Sequence, residues 1–345
     1  MNIVRVVVVD DSAYVRKVVK QMLLRSPFIE VVGAGRDGAE ALELVAELNP
    51  DVVTCDLIMP EMNGVAFVRE QMGRRPVPII IMSVASESGE EVLAALDAGA
   101  IDFVHKPTAL ATDKLLEVAD ELIEKVKAAA QAPMRTRPAT GKAAVPVELP
   151  AIRPGSATQV LVVGTSTGGP QALKLMMPRL PADFRVPVGL VLHMPIGYTE
   201  MYAQKLDELC ALKVVEAKGG EEAVAGMVVL APAGRHLLFR RGADGVVRTS
   251  LDIRPVDTPH RPAVDVLFRS AAEAYGSGVL AVVMTGMGAD GREGAAWIKA
   301  QGGRVLTEAE ESCVVYGMPR SVVEAGLSDA MVPLEEMARA IMNLT

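Results

Sequence analysis

The chain has 345 residues, half of them apolar and 23% charged, with a net charge of −8 from 35 Lys and Arg against 43 Asp and Glu. That composition builds folded cores and the length favours two domains, while the acidic balance offers no broad basic face, so nucleic acid is disfavoured as a partner. The three cysteines, Cys55, Cys210 and Cys313, are too scattered for a disulfide framework or a cysteine metal site and imply a reducing compartment.

The first apolar run, residues 6–9, meets Asp10 and Asp11 at once. It is too short and too quickly acidic for a signal peptide, and no later stretch has membrane-spanning length, so the expectation is a cytoplasmic protein without membrane insertion. Up to about residue 127, short β-branched runs at 3–9, 30–32, 51–55, 77–82 and 102–104 alternate with amphipathic segments. Val15, Val18, Val19, Met22 and Leu23 recur at helical spacing, and Asp37 with Glu40 resembles a capping box opening a second helix. Five such units predict a parallel sheet covered by helices on both faces, with ligands beyond the carboxyl ends of the strands.

Residues 126–157 read as a linker, rich in Ala, Thr and recurring prolines (Pro133, Pro138, Pro146, Pro150, Pro154) and without apolar periodicity. Its Arg135, Arg137 and Lys142 suit either partner docking or plain solvation. The alternation restarts with a strand at 160–163, a helix at 171–177 and a strand at 186–192. Short strands around the turn Gly242-Ala243-Asp244-Gly245 predict a β-hairpin inserted in or appended to a second α/β sheet. A helix at 264–274, a strand at 279–284 and a helix opening at Gly291 follow.

Two constellations carry chemistry. Asp10 and Asp11 close the first strand and Asp56 the third, so three carboxylates converge at one sheet edge. Clustered carboxylates call for a cation, and oxygen-only ligands favour Mg²⁺. Asp56 is then suited to accept a phosphoryl group, with Lys106 and Ser83, which close the fifth and fourth strands, answering the charge on its oxygens. Each Asp taken alone could equally cap the helix after its strand. Val9-Asp10-Asp11-Ser12, Asp56-Leu57-Ile58-Met59-Pro60, Met82-Ser83 and Phe103-Val104-His105-Lys106-Pro107 together resemble the receiver domain of two-component response regulators. The resemblance covers residues 1–125. It implies a flavodoxin-like fold with a five-stranded parallel sheet, Mg²⁺ held at Asp10, Asp11 and Asp56, a histidine kinase as phosphodonor, and a switch through Ser83, Phe103 and Lys106. His105 reads as an incidental strand residue.

In the second half, Gly164-Thr165-Ser166-Thr167-Gly168 follows a buried strand and precedes a helix, the context of a nucleophile turn. Alone it could also bind phosphate or cap a helix, although the missing Gly-Lys-Ser/Thr sequence excludes a P-loop. A serine needs a base and the base an orienting group. Of four histidines only His193 ends a buried strand, whereas His236 opens the hairpin and His260 sits in a polar segment. Asp290 stands in the loop after the strand at 279–284, where capping the next helix is its ordinary alternative role. The order Ser, His, Asp differs from that of α/β-hydrolases.

Gly164-Thr165-Ser166-Thr167-Gly168-Gly169-Pro170, His193-Met194-Pro195, Ala231-Pro232, His260-Arg261-Pro262-Ala263-Val264-Asp265, the loop 284–291 and the segment 312–319 are similar to the catalytic domain of the CheB family of chemotaxis methylesterases. The likeness spans roughly residues 158–343 of a second domain read as 158–345, and the domain order agrees. It implies a doubly wound α/β methylesterase domain with the β-hairpin and without a cofactor. The implied reaction is hydrolysis of glutamate methyl esters on the cytoplasmic helices of methylated chemoreceptors, releasing methanol, with deamidation of receptor glutamines as a related activity. Ser166 would then be the nucleophile, His193 the base, Asp290 its orienting partner and the Met287 backbone N–H the oxyanion donor, unless Met287 is only an apolar rim residue. The pairing leads to the expectation that the unphosphorylated receiver covers the Ser166 edge. A small-molecule esterase and a non-catalytic scaffold are the rival readings.

Overall fold

The computed structural model describes residues 3–84, 89–106, 112–132 and 157–345, and the chain divides into two compact units, Met1–Thr140 and Gly141–Thr345. The first unit runs β1 (Val4–Val9), α1 (Ala13–Leu23), β2 (Ile29–Gly35), α2 (Gly38–Leu48), β3 (Val52–Asp56), α3 (Gly64–Arg74), β4 (Ile79–Ser83), α4 (Gly89–Ala98), β5 (Asp102–His105) and α5 (Thr112–Ala129). Its strands form one parallel sheet in the order β2-β1-β3-β4-β5, the flavodoxin-like order expected from the sequence. All residues of β3 and β4 are buried, because helices cover both faces of a parallel sheet.

The helix starts separate the caps from the acidic cluster. Ser12 accepts from Val15 N at the head of α1 and Asn63 from Ala66 N at the head of α3, so neither Asp10, Asp11 nor Asp56 is spent on capping. At α2, Asp37 accepts from Glu40 N, while the Glu40 carboxylate takes Arg36 N–H, one residue before the position an ideal capping box uses. Helix α5 continues to Ala129, so the first four residues of the linker read from the sequence are helical. The proline-rich stretch 133–156 lies outside the described residues.

The second unit contains β6 (Val160–Thr165), α6 (Gly169–Met176), β7 (Val188–Leu192), α7 (Thr199–Leu209), β8 (Lys213–Glu216), β9 (Met227–Leu230), β10 (His236–Arg241), β11 (Val247–Asp252), α8 (Val264–Tyr275), β12 (Val279–Val283), α9 (Arg292–Ala300), β13 (Arg304–Glu308), α10 (Met318–Glu324), β14 (Ala330–Val332) and α11 (Leu334–Leu344). Seven strands make a parallel sheet in the order β14-β13-β12-β6-β7-β9-β8. The predicted hairpin is present, but β10 and β11 form a separate two-stranded sheet, antiparallel around the 242–245 turn. Only β9 of that region joins the main sheet. The hairpin is held from below, where Phe239 N donates to Ser270 Oγ of α8 and the Phe239 ring fills the space left by Gly189 of β7.

Val162, Val191, Leu267, Phe268, Val283, Ile298 and Met318 share one buried cluster that joins α8, α9 and α10 to the sheet. The buried Tyr202 of α7 donates to Pro170 O of α6. From β6 the chain moves outward on one side through β7, β8 and β9, then returns to add β12, β13 and β14 on the other. The switch point is therefore beside β6, and the carboxyl edge there is where a doubly wound sheet opens a crevice. Among the described residues no helix is long and apolar enough to cross a membrane.

Candidate functional site

In the first unit, β1 delivers Asp10 and Asp11 and β3 delivers Asp56 to the same edge. One oxygen of each carboxylate lies within 4.8 Å of the others. Asp10 and Asp56 are buried, whereas Asp11 is exposed. Lys106 closes the group, with Nζ 2.8 Å from Asp10 Oδ2 and 2.6 Å from Asp56 Oδ1. Backbone donors fix the acids from behind, Ser12 N to Asp10 Oδ1 at 2.9 Å and Leu57 N to Asp56 Oδ1 at 2.7 Å. Burial pushes the Asp56 carboxyl up, only partly offset by Lys106. For Lys106, burial opposes the charge, but the bonds and charges of Asp10 and Asp56 outweigh it and hold the ammonium above its ordinary value.

Three carboxylates against one ammonium leave negative charge to be neutralised, and hard oxygen donors with an exposed third ligand suit Mg²⁺. Ser83 Oγ is buried and has no hydrogen-bond partner among the described residues. Its carbonyl accepts Lys106 N at 2.6 Å, which ties the ends of β4 and β5 together. Phe103 is buried, edge-on to His105 at 6.0 Å between ring centroids.

In the second unit, parallel pairing sets Thr165 of β6 opposite Leu192 of β7, so the next residues, Ser166 and His193, leave the sheet side by side on strands about 4.8 Å apart. His193 N donates to Thr165 O at 3.2 Å. The Ser166 turn is fastened to the loop after β12. Ser166 N and Thr165 Oγ1 both donate to Thr285 O, at 3.1 and 2.7 Å, and Thr285 Oγ1 donates to Thr167 O at 3.0 Å. Gly168, at φ +79°, then turns the chain into α6, a conformation that disfavours any side chain.

The same loop carries Asp290. His193 Nε2 lies 2.8 Å from Asp290 Oδ2, and that carboxylate also accepts Val264 N at 2.7 Å and Asp265 N at 2.9 Å. Asp290 therefore caps α8, not the following helix as its ordinary role would have it. The cap of α9 is Asp265, which accepts Gly291 N and Gly294 N. Burial alone would raise the Asp290 carboxyl, yet the His193 bond and charge and the backbone donors hold it below the usual carboxylate range. Asp265, half-buried beside it, is pushed up to about 6, chiefly by burial. His193 Nδ1 has no partner among the described residues. An imidazole with its proton on Nε2, facing Asp290, keeps Nδ1 as an acceptor for a hydroxyl.

A model of the CheB methylesterase family matches residues 161–341, and one of the response regulator receiver domain matches residues 6–120. The chain is 50% identical to a protein-glutamate methylesterase/protein-glutamine glutaminase of Myxococcus xanthus, over 97% of this chain and 96% of the relative. The chain belongs to the CheB methylesterase family. A relative of the same name from Bacillus subtilis is 39% identical over 99% of this chain and 98% of its own length. The crystal structure of the Thermotoga maritima CheB methylesterase catalytic domain superposes with a TM-score of 0.53 at 41% identity, covering 55% of this chain and all of that domain. Receiver domains bind Mg²⁺ through acidic residues, and the cluster at Asp10, Asp11 and Asp56 supplies such a set.

Within this family fold, the structure joins His193 to Asp290 and sets Ser166 beside them. Ser166 Oγ makes no hydrogen bond among the described residues; bonds of a nucleophile to its base commonly tighten only in the Michaelis complex. The motif at 312–319 clamps the loop that carries Met287. Gly286 N donates to Val315 O, and Gly317 N and Met318 N donate to Gly286 O, while Met287 N–H points to no acceptor among the described residues. Two neighbours escaped the sequence reading. The exposed His260 stacks on His193 with centroids 4.1 Å apart, and Asp265 completes the reciprocal capping; both stand in the 260–265 motif. A cavity of about 850 Å³ opens beside them, lined by His260, Asp290, Arg269, Arg292 and Trp297.

Gly286 offers a local test. A Cβ there would lie 2.4 Å from Met318 Sδ, 2.9 Å from Ser166 Cβ and 3.0 Å from Ser166 N, so Gly286→Ala must displace the serine turn. The expected result is a loss of about 10²-fold in kcat with the far-UV circular dichroism spectrum retained.

Proposed function

We propose that this chain is a phosphorylation-regulated protein-glutamate methylesterase that hydrolyses γ-glutamyl methyl esters on the cytoplasmic helices of chemoreceptors, with deamidation of receptor glutamines by the same route. The observation that carries this reading is the His193–Asp290 bond at the sheet edge where Ser166 emerges, in a chain matched over its full length by relatives named for that activity.

Ser166 Oγ attacks the ester carbonyl while His193 Nδ1 takes its proton, and Asp290 stabilises the imidazolium through Nε2. The carbonyl oxygen becomes an oxyanion, and its proposed donor is Met287 N–H, on the loop fastened to the serine turn through Thr285; such a donor is worth ~3 kcal/mol of barrier. His193 returns the proton to the departing methoxide, so methanol leaves and an acyl-serine remains. Water, deprotonated by His193, then attacks the acyl carbon; the bond to Ser166 Oγ breaks as His193 returns the proton to that oxygen, and glutamate is released. With glutamine, ammonia leaves instead.

In the receiver, Asp10, Asp11 and Asp56 would hold Mg²⁺, which supplies charge neutralisation for a phosphoryl group arriving from a histidine kinase. Asp56 is the acceptor. Lys106 answers the charge of the phosphoryl oxygens and the Ser83 hydroxyl donates to one of them, drawing β4 and β5 inward around Phe103. Labelling with a small radioactive phosphodonor should mark the wild type in Mg²⁺, and neither Asp56→Asn nor wild type in excess EDTA. Asp56→Asn should keep basal methanol release but lose its stimulation by the phosphodonor. Label on Asp56→Asn equal to wild type would refute the acceptor. Hydrolysis of nitrophenyl esters with none of methylated receptor would favour a small-molecule esterase.

A further inference from the structure

Glu308 is the last residue of β13 and is fully buried. Among the described residues no cation pairs with its carboxylate. Oε2 accepts Thr285 N at 2.8 Å and Oε1 accepts Ser312 Oγ at 3.0 Å. The titratable groups facing it are Cys313, on the turn after its own strand, and Glu335 of α11, while Glu310 and Glu311 of the same turn act on Cys313 in turn. All are acidic. A lone buried carboxylate is a poor stabilising device, since removing charge from water costs more than two neutral donors return.

What it holds is the knot behind the serine. Thr285 receives Ser166 N and Thr165 Oγ1 on its carbonyl. Its hydroxyl links Thr167 O to Val315 N, and its N–H goes to Glu308. Among the described residues, Glu308 is the one charged side chain bonded to Thr285. A hydrogen bond to an ionised acceptor is shorter and about twice as strong as a neutral one.

We propose that Glu308 is a positioning residue of the esterase, whose negative charge fixes Thr285 and through it the Ser166 turn and the start of the Met287 loop. This rests on the reading of Ser166 as nucleophile. Burial, outweighing the Thr285 and Ser312 bonds, pushes the Glu308 carboxyl up to about 7. The group's contribution to stability is thus fully present below its ordinary value of 4.5 and is lost as pH rises through about 7. The charge that serves the site therefore exists where it is least favourable to the fold, the usual signature of a functional group.

The test is Glu308→Gln in the full chain, an isosteric change that keeps an acceptor for Thr285 N and removes the charge. At pH 8 the catalytic-domain transition should rise by roughly 5 °C, while kcat for methanol release falls about 10-fold with KM unchanged. At pH 6 the ratio of wild-type to variant kcat should approach one, because the wild-type carboxyl is then neutral. The ¹⁵N amide resonance of Thr285, which donates directly to Glu308, should titrate near pH 7 in the wild type and lose that transition in the variant, a readout independent of turnover. A variant kcat within twofold of wild type at pH 8, or a deficit that does not change with pH, would overturn the proposal. Loss of all release in Ser166→Ala at both pH values is required by the nucleophile reading itself, so its failure would be seen separately.

Discussion

Ser166→Ala should abolish methanol release, lowering kcat by roughly 10⁶-fold, the scale seen when the nucleophile of a serine hydrolase is removed. The fold should hardly notice. The hydroxyl makes no hydrogen bond among the described residues, and the turn is held by backbone, Ser166 N to Thr285 O and Gly169 N to Ser166 O. Stability should therefore change by no more than about 0.5 kcal/mol, and labelling of Asp56 by a phosphodonor should be intact. Activity measured as headspace methanol, beside a thermal melt, separates the two effects. Retained hydrolysis would remove Ser166 from the mechanism.

Asp290→Asn should lower kcat by about 10⁴-fold for a reason of tautomers. The carboxylate of Asp290 accepts three hydrogen bonds, from His193, Val264 N and Asp265 N, and an amide has one oxygen. If its NH₂ faces His193, it donates to Nε2 and drives the imidazole proton to Nδ1, the nitrogen required to take the serine proton. If its NH₂ faces Asp265 N–H, two donors oppose each other. Either arrangement leaves one donor unsatisfied, so a loss of about 1–2 kcal/mol of stability accompanies the kinetic one. An unchanged kcat would mean that His193 is oriented by something else.

The parts of the fold that were legible are those in which burial on both faces leaves a continuous apolar run. Strands β1, β3, β4, β6 and β7 have such runs and each ends in or just before a residue of the two sites, while the run of β12 leads into the loop that carries Met287 and Asp290. The elements that escaped are short, half-exposed or at the sheet margin. Strand β8 is a four-residue edge strand of Lys213 to Glu216, and β14 has three residues with Met331 exposed. Strand β13 is the instructive omission. Its run Arg304-Val305-Leu306-Thr307-Glu308 ends on a carboxylate, the same signal that marked Asp56, and reading it would have found Glu308.

For the sites, strand-end position was sufficient to gather Asp10, Asp56, Ser83 and Lys106, and Ser166 with His193, because parallel neighbours end together. It could not show that Asp290 serves α8 or that His260 lies on His193. Both depend on how the loop at 253–263 and the head of α8 fold back over the sheet edge, which is set by packing between elements distant in sequence. The hairpin was recognised from its turn, but its separation from the main sheet follows from the Phe239–Gly189 and Phe239–Ser270 contacts, which local pattern does not encode.

The most direct measurement is methanol release from methylated receptor by the purified full chain in Mg²⁺, with and without a small phosphodonor. The account predicts basal release that rises with the phosphodonor, a rise absent in Asp56→Asn, and no release under either condition in Ser166→Ala. Release from Ser166→Ala, or a wild-type rate indifferent to phosphorylation of Asp56, would contradict it.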